Sequence, residues 1–215
     1  MFKIEKLDLL ISIYIFCIVA AELMGSKTFP LAVGPIKLSP TVAIFFIPLI
    51  FTINDIITEV YGKEKTRSII RSGLFVIALV LLFSIFFTLL PASNRFITSE
   101  EAYDHIFGKS ARIAFASLTA FAFAEFLDVF IFAKLRQKLG KSKLWLRNNA
   151  SNFVAQFVDT VIFMSLAFYS FTDPFSQNVL FLWQIILPYW LLKCFMSIIE
   201  TPFVYMGVKW LKDKK

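Results

Sequence analysis

The chain has 215 residues, of which 58% are hydrophobic, and it carries a formal net charge of +7. Its mean hydropathy of +0.74 is well above that of ordinary soluble proteins. This length and composition predict an all-α membrane protein with one transmembrane domain over residues 1–215 and no room for a separate soluble module. The positive charge does not indicate a nucleic-acid partner, because the basic residues fall almost entirely between hydrophobic spans.

Six stretches come close to the roughly 20 mostly apolar residues that a membrane-spanning helix needs. They are Leu7–Gly25, Thr41–Tyr61, Ile69–Leu90, Ile113–Leu135, Asn152–Phe171 and Val179–Val208. Lys3 and Lys6 precede the first stretch as in a signal peptide, but its length and the equally long stretches that follow predict an uncleaved span. Pro188 and Pro202 are expected to kink or tilt the long sixth span.

Basic residues set the orientation of these spans. Sixteen lysines and arginines fall at the two termini and in the second and fourth loops, whereas five fall in the other loops. Positive residues favour the cytoplasmic side, so both termini are predicted to be cytoplasmic. An even number of spans gives the same result and is expected for a multi-pass protein of the cell (inner) membrane.

The outer loops are predicted to be structural. Thr28–Pro40 contains three prolines and a glycine and is typical of a tight hairpin. Ala92–Ser110 is predicted to be a loop, and the only histidine, His105, is expected to be solvated there. Aromatic residues close to span ends are expected to anchor at the membrane interfaces. They are Trp145, Trp183, Tyr189, Trp190 and Trp210.

Ionisable residues inside the spans are the main functional signal, because charges in hydrocarbon usually mark a polar cavity, an ion route or a substrate site. They are Glu22, Asp55, Glu59, Glu125, Asp128, Asp159, Lys193 and Glu200. In the fifth span Asn152, Gln156 and Asp159 follow i, i+4, i+7 spacing, so they share one helix face. One-face spacing recurs in three pairs: Asp55 with Glu59, Glu125 with Asp128, and Lys193 with Glu200. These groups lie at overlapping depth on four helices, which predicts one shared cavity near the midplane.

The energetic cost of these residues favours a functional explanation. An Asp or Lys at the centre of a span costs about 2.5–3.5 kcal/mol on insertion scales. Several facing lipid would cost on the order of 10 kcal/mol, comparable with a whole domain's stability. The alternative is that pairs such as Asp159 with Lys193 only hold the bundle together, at below about 2 kcal/mol each. Glu22, Glu59 and Glu200 are the weakest candidates, since each is expected near an interface within reach of water.

Several segments resemble the queuosine-precursor transporter family, sometimes grouped as a vitamin-uptake-type family. They are FTINDIITEVYG at Phe51–Gly62, AEFLDVFIFAKLR at Ala124–Arg136, RNNASNFVAQFVDT at Arg147–Thr160, and AELMGSK at Ala21–Lys27, with Lys193 and Glu200-Thr201-Pro202 following in order. The resemblance implies import of a 7-deazaguanine, typically 7-cyano-7-deazaguanine, for making queuosine in tRNA. It also implies a six-helix fold similar to the substrate-binding components of energy-coupling-factor vitamin transporters.

The resemblance also implies which residues form the family's polar core. These are Asp55, Asp128, Gln156, Asp159 and Lys193. Glu59 and Glu125 match less firmly, because relatives are expected to carry other residues at those two positions.

Ligand chemistry agrees with this assignment. A guanine-like edge offers adjacent N–H donors that one carboxylate accepts in parallel, which suits Asp159 or Asp128. Gln156 and Asn152 are assigned as orienting amides, and Lys193 is assigned as the counter-ion. The flat apolar faces of such a ligand suit walls of phenylalanine or tryptophan.

The predicted partners are a small-molecule 7-deazaguanine and the lipid bilayer, with no nucleic acid, metal or cofactor. A homodimer is left open, because small helical transporters often pair. The nearest alternative is a transporter of another small heterocycle, such as a vitamin or a purine, followed by an ion channel or exchanger. An enzyme is disfavoured because the GxGD and HExxH signatures are absent. The last alternative is a passive membrane scaffold, which would be distinguished from a transporter because it would tolerate neutralisation of the acidic residues in the spans.

One lysine cannot neutralise seven carboxylates, so several acids are expected to be protonated, exposed to water, or both. Protonatable acids would permit proton coupling, which predicts that uptake depends on external pH or is abolished by a protonophore. Uptake measured with and without each treatment checks this. Transport that is indifferent to both would exclude proton coupling.

Overall fold

A computed structural model of the chain describes residues 4–33, 36–139, 144–199 and 201–212. Within these ranges the chain is predominantly helical, which confirms the predicted α-helical class. The helices are α1 (Lys6–Met24), α2 (Ile47–Tyr61), α3 (Lys63–Thr88), α4 (Glu100–Leu139), α5 (Leu144–Phe168), α6 (Phe175–Ile199) and α7 (Thr201–Lys212).

Five stretches of the described helices are long and apolar enough to cross a membrane. They are Lys6–Met24, Val42–Tyr61, Glu64–Thr88, Glu100–Ala124 and Phe175–Phe195. Helix α5 contains a shorter apolar stretch, Phe153–Phe168. The multi-pass character is therefore confirmed, and the count of six spans stays a prediction.

Several predicted helix bounds were wrong. Helix α4 begins at Glu100, so most of the predicted loop Ala92–Ser110 is helical, and α4 extends beyond the predicted Ile113–Leu135 at both ends. Glu100 and Glu101 occupy the first turn of α4, where negative charge favours a helix N-terminus. The long predicted sixth span corresponds to α6 followed by α7, and Glu200 between them lies outside the described residues.

The turn between α2 and α3 is also shorter than predicted. Gly62 alone separates the two helices, and it has φ of +84°, a backbone conformation that favours glycine. The basic residues expected in this loop therefore belong to the first turns of α3.

Two compact units make up the chain. The first comprises Met1–Phe29, Thr41–Ala114 and Phe195–Lys215, and the second comprises Pro30–Pro40 and Phe115–Cys194. The prediction of a single domain over 1–215 stays a prediction.

In the first unit, helix α2 packs against α1, α3 and α7. The side chains of Ile53, Ile56 and Ile57 on α2 are buried there. The backbone of Gly207 in α7 lies directly against Ile56, so that a Cβ atom at residue 207 would lie 2.8 Å from Ile56 Cγ1. Such close backbone approach is typical of helix packing in membranes, where hydrocarbon gives no hydrophobic drive for association.

The two ends of the chain meet within this unit. Lys6 Nζ at the start of α1 donates a hydrogen bond of 2.6 Å to the Trp210 carbonyl near the end of α7. The same ammonium lies 5.3 Å from the centroid of the Trp210 ring. These contacts connect the N-terminal and C-terminal helices directly.

The second unit contains the predicted hairpin. Strands β1 (Leu31–Val33) and β2 (Ile36–Leu38) pair antiparallel, which confirms the hairpin predicted for Thr28–Pro40. The Ser39 N–H donates a 3.3 Å hydrogen bond to the Gln184 carbonyl, so the hairpin is docked on α6.

One asparagine closes the turn between α5 and α6. Asn178 Oδ1 accepts from the Ser170 N–H at 2.8 Å, and Asn178 Nδ2 donates to the carbonyls of Ser170 at 2.8 Å and Asp173 at 3.1 Å. Asn178 is buried, yet both of its polar atoms are satisfied. The turn therefore joins two helices of the second unit with a defined geometry.

The contact between Gly207 and Ile56 predicts a specific stability defect. The change Gly207→Ala is expected to lower the free energy of unfolding by about 1–3 kcal/mol through overpacking. Gly108→Ala in α4 is the matched control, because a Cβ there meets open space. The control should be neutral or stabilising by up to about 1 kcal/mol. Thermal unfolding of both purified variants in detergent checks this, and equal midpoints would contradict the proposed contact.

Candidate functional site

The second unit holds a short ion pair between α5 and α6. Lys193 Nζ donates to Asp159 Oδ2 at 2.6 Å, and the two side chains are only 15% and 26% exposed. Lys193 lies within the apolar stretch Phe175–Phe195, and Asp159 lies within Phe153–Phe168. Two opposite charges in an apolar setting thus neutralise each other, as the sequence suggested for this pair.

Thr160 completes the arrangement. Its Oγ1 donates to the Gln156 carbonyl at 2.8 Å, which leaves an oxygen lone pair free to accept from Lys193 Nζ at 3.2 Å. Thr160 is 1% exposed, so the lysine reaches into the interface between the two helices. No role was assigned to Thr160 from sequence, although its position next to Asp159 was an available signal.

Aromatic rings also pack between α5 and α6. The Trp190 ring packs edge-on against Phe153 and Phe157, with centroid distances of 4.9 Å and 5.3 Å. Trp190 is one helical turn before Lys193 on α6, and its indole nitrogen is buried. The predicted role of Trp190 as an interfacial anchor is therefore wrong, since that role needs the indole N–H near water.

The predicted acids of α2 belong to the first unit. Asp55 and Glu59 are both exposed on that helix. Asn54, between buried isoleucines, hydrogen-bonds with the Tyr14 side chain of α1. No role was assigned to Asn54 from sequence, because its partner Tyr14 is distant in the chain.

A hydroxyl pair joins α2 to α3 near this point. Thr58 Oγ1 lies 2.8 Å from Thr66 Oγ1 and donates to the Asn54 carbonyl at 2.7 Å. Glu22 of α1 was expected to reach water, but it is 6% exposed and buried in the first unit. That expectation was wrong because helix packing, which a hydropathy pattern does not specify, covers this end of α1.

Four other predicted site residues lie outside what the structure describes. They are Glu200 and the side chains of Glu125, Asp128 and Asn152. Among the predicted site residues that the structure describes, Asp159 and Lys193 are in direct contact. The Gln156 carbonyl is connected to this pair through the Thr160 hydroxyl. The single cavity shared by four helices stays a prediction. Among the described residues, no group of three or more His, Cys, Asp or Glu side chains could hold a metal ion.

Comparison with known proteins gives one consistent family. The model of the family described as putative vitamin uptake transporter matches residues 41–207. A protein of Bacillus subtilis (strain 168), described as a probable queuosine precursor transporter, is 33% identical over 207 residues, which cover 92% of this chain and 82% of the relative.

Two further relatives match over shorter ranges. A probable queuosine precursor transporter of Haemophilus influenzae is 32% identical over 131 residues, covering 61% of this chain and 53% of the relative. The queuosine precursor transporter of Escherichia coli (strain K12) is 28% identical over 137 residues, covering 62% and 58%. No solved structure matches this chain significantly. The family resemblance read from the motifs is confirmed by these matches.

The ion pair predicts an asymmetric response to mutation. Lys193→Met strands the Asp159 carboxylate in an apolar site and is expected to lower the free energy of unfolding by about 1–3 kcal/mol, less than a fully buried pair because both groups are partly exposed. The double variant Asp159→Asn/Lys193→Met should recover most of this loss. Arg67→Met, which breaks the exposed pair with Glu64, is the control and should change stability by at most about 0.5 kcal/mol. Thermal unfolding of the purified variants tests whether the two residues stabilise each other. If the double variant lost the sum of the stabilities lost by the two single variants, the two side chains would not interact.

Proposed function

This chain belongs to the putative vitamin uptake transporter family, and we propose that it imports a queuosine precursor across the cell membrane. The substrate is 7-cyano-7-deazaguanine or a related 7-deazaguanine such as queuine. The proposal is supported by relatives described as queuosine precursor transporters. The structural observation that supports assigning this function to specific residues is the Asp159–Lys193 pair between two apolar helices.

The chemistry of this pair suits a guanine-like edge. An ionised carboxylate accepts two parallel N–H donors, which such a heterocycle presents side by side. When Asp159 turns to the substrate, the freed Lys193 ammonium donates to the ring carbonyl. Thr160 keeps one hydrogen bond to the lysine during this exchange, so the ammonium is never left without a partner. Substrate thus replaces an internal ion pair by contacts of similar strength.

The remaining predicted residues keep the roles that the ligand chemistry and the family resemblance assign to them. Gln156 and Asn152 orient the heterocycle, Asp128 is the alternative acceptor for its edge, and Asp55 lines the route. Glu59, Glu125 and Glu200 belong to the wider polar set. Transport, without chemical change of the substrate, is the activity assigned to all of them.

We place six spans in the membrane, with both termini in the cytoplasm and a fold similar to the substrate-binding components of energy-coupling-factor transporters. The contacts of Lys6 with Trp210 support an even number of spans, because they hold the two chain ends together. The apolar stretch Phe153–Phe168 of α5 supplies the sixth crossing beside the five longer ones. The excess of basic residues at the termini supports the cytoplasmic side.

A second candidate is the import of another flat heterocycle, such as a vitamin. The family's description as vitamin uptake transporter favours it. The same ion pair and aromatic rings would serve that ligand, so the two candidates differ in substrate and not in the site.

A rescue assay tests the proposal. The chain is expressed in a bacterium that can neither make nor import 7-deazaguanines, and queuosine in tRNA is scored with 7-cyano-7-deazaguanine, its aminomethyl derivative or queuine supplied. We expect rescue by at least one of them at submicromolar to micromolar supply. Asp159→Asn should reduce the initial rate of uptake at least tenfold, because it removes the charged acceptor.

The control is Glu64→Gln, which alters an exposed ion pair on α3 and should leave uptake unchanged. Expression of each variant in the membrane is measured in parallel. Failure of all three compounds to rescue would reject the proposed substrate class. Rescue by Asp159→Asn at the wild-type rate would reject the assigned binding site but would leave the proposed transport function intact.

A further inference from the structure

The indole of Trp190 has an unusual environment in the second unit. Its ring is held edge-on between Phe153 and Phe157 of α5. Residues 190 and 193 of α6 are three positions apart, so Trp190 and Lys193 lie on neighbouring parts of one helix surface. The Trp190 ring therefore lies on the same side of α6 as Lys193.

The Trp190 Nε1–H group is buried and has no hydrogen-bond partner among the described residues. A buried donor without an acceptor is destabilising, and membrane interiors supply no water to relieve it. The same unit satisfies other buried polar groups fully, as the Asn178 side chain with its bonds to Ser170 and Asp173 demonstrates. The open donor at Trp190 is thus a local exception that needs an explanation.

We propose that Trp190 contacts the transported heterocycle directly, with its indole N–H donating to an acceptor atom on the substrate's edge beside the Asp159–Lys193 pair. This inference rests on the proposed function and deepens it. The acceptor is the nitrile nitrogen of 7-cyano-7-deazaguanine, because Lys193 donates to the ring carbonyl in the proposed function. Phe153 and Phe157 hold the indole in place, so that donor and ion pair recognise two different groups of one flat ligand.

Trp190 then acts as a determinant of specificity. A site that hydrogen-bonds a substrate acceptor discriminates against analogues that lack it, because the donor is then left unsatisfied. Carboxylate and ammonium alone would bind many charged or polar small molecules. The Trp190 indole, which combines a neutral N–H donor with an apolar ring, selects a ligand that has a hydrogen-bond acceptor next to a flat face.

The test is Trp190→Phe, which keeps an aromatic ring against Phe153 and Phe157 and removes only the indole N–H. We expect the KM for uptake to rise about fivefold to tenfold with little change in maximal rate. Trp183→Phe is the control, because Trp183 lies on the same helix and is 52% exposed. Thermal unfolding of both variants establishes that each is folded.

Substrate analogues separate hydrogen bonding from packing. Uptake is compared for 7-cyano-7-deazaguanine, for 7-deazaguanine without the nitrile, and for the 7-cyano compound without the ring carbonyl. The Trp190→Phe penalty should vanish for the analogue that lacks the bonded acceptor. An equal penalty for all three ligands would show that the indole only packs, for example with its N–H over a phenylalanine ring, and would overturn the proposal.

Tryptophan fluorescence gives an independent readout. A protein that keeps only Trp190, with Trp145, Trp183 and Trp210 changed to Phe, should change its emission on titration with 7-cyano-7-deazaguanine. A protein that keeps only Trp183 should not. If the wild type takes up the substrate and Trp190→Phe does so with the same KM, the role of Trp190 alone is overturned. If the wild type takes up no 7-deazaguanine, both proposals are overturned.

Discussion

A lipid bilayer offers no hydrogen-bond partners, so each polar side chain within the spans must find its partner inside the protein. The contact between Asp159 and Lys193 is the clearest answer to this constraint, because it neutralises two charges in a 2.6 Å hydrogen bond. The contact determines the local geometry of the second unit, because α5 and α6 lie side by side here and Thr160 faces the lysine. A ligand that enters the site has to compete with this internal partner.

The first unit meets the same constraint in another way. Neutral groups pair there, Tyr14 with Asn54 and Thr58 with Thr66, and neither of these two contacts carries a formal charge. Close backbone contact at Gly207 brings the helices together where no polar pair does so. Neutral hydrogen bonds and small residues are typical of static helix packing in membranes. Asp159 and Lys193, by contrast, form a charged pair in the unit in which we place substrate recognition.

Much of the fold and part of the site could be predicted from sequence, because membrane constraints act locally on the chain. The hairpin, the helical spans and the one-face spacing of Gln156 and Asp159 follow from turn residues, hydropathy and helix period. The start of α4 at Glu100 was missed, since the charged residues of its first turns weaken the apolar signal there. Asp159 and Lys193 were paired only as an example, since a single sequence holds no record of contacts between helices.

The partners that sequence reasoning missed share one property. The Tyr14–Asn54 contact and the packing of Trp190 on Phe153 each join residues that are far apart in the chain. Hydropathy places all of these positions in apolar stretches and does not indicate which neighbour each one faces. For Trp190 its nearness to a span end suggested the wrong environment, because nearness along a helix does not determine which way the ring points.

The turn closed by Asn178 has a consequence for how the family can vary. Helix α6 leaves this clamp with a fixed rotation relative to α5, and each residue added or removed between the clamp and Lys193 would rotate the ammonium by about 100°. Insertions and deletions here would therefore separate the two charges even if every side chain were retained. Chain length in this stretch therefore determines the Asp159–Lys193 contact as much as the lysine itself does.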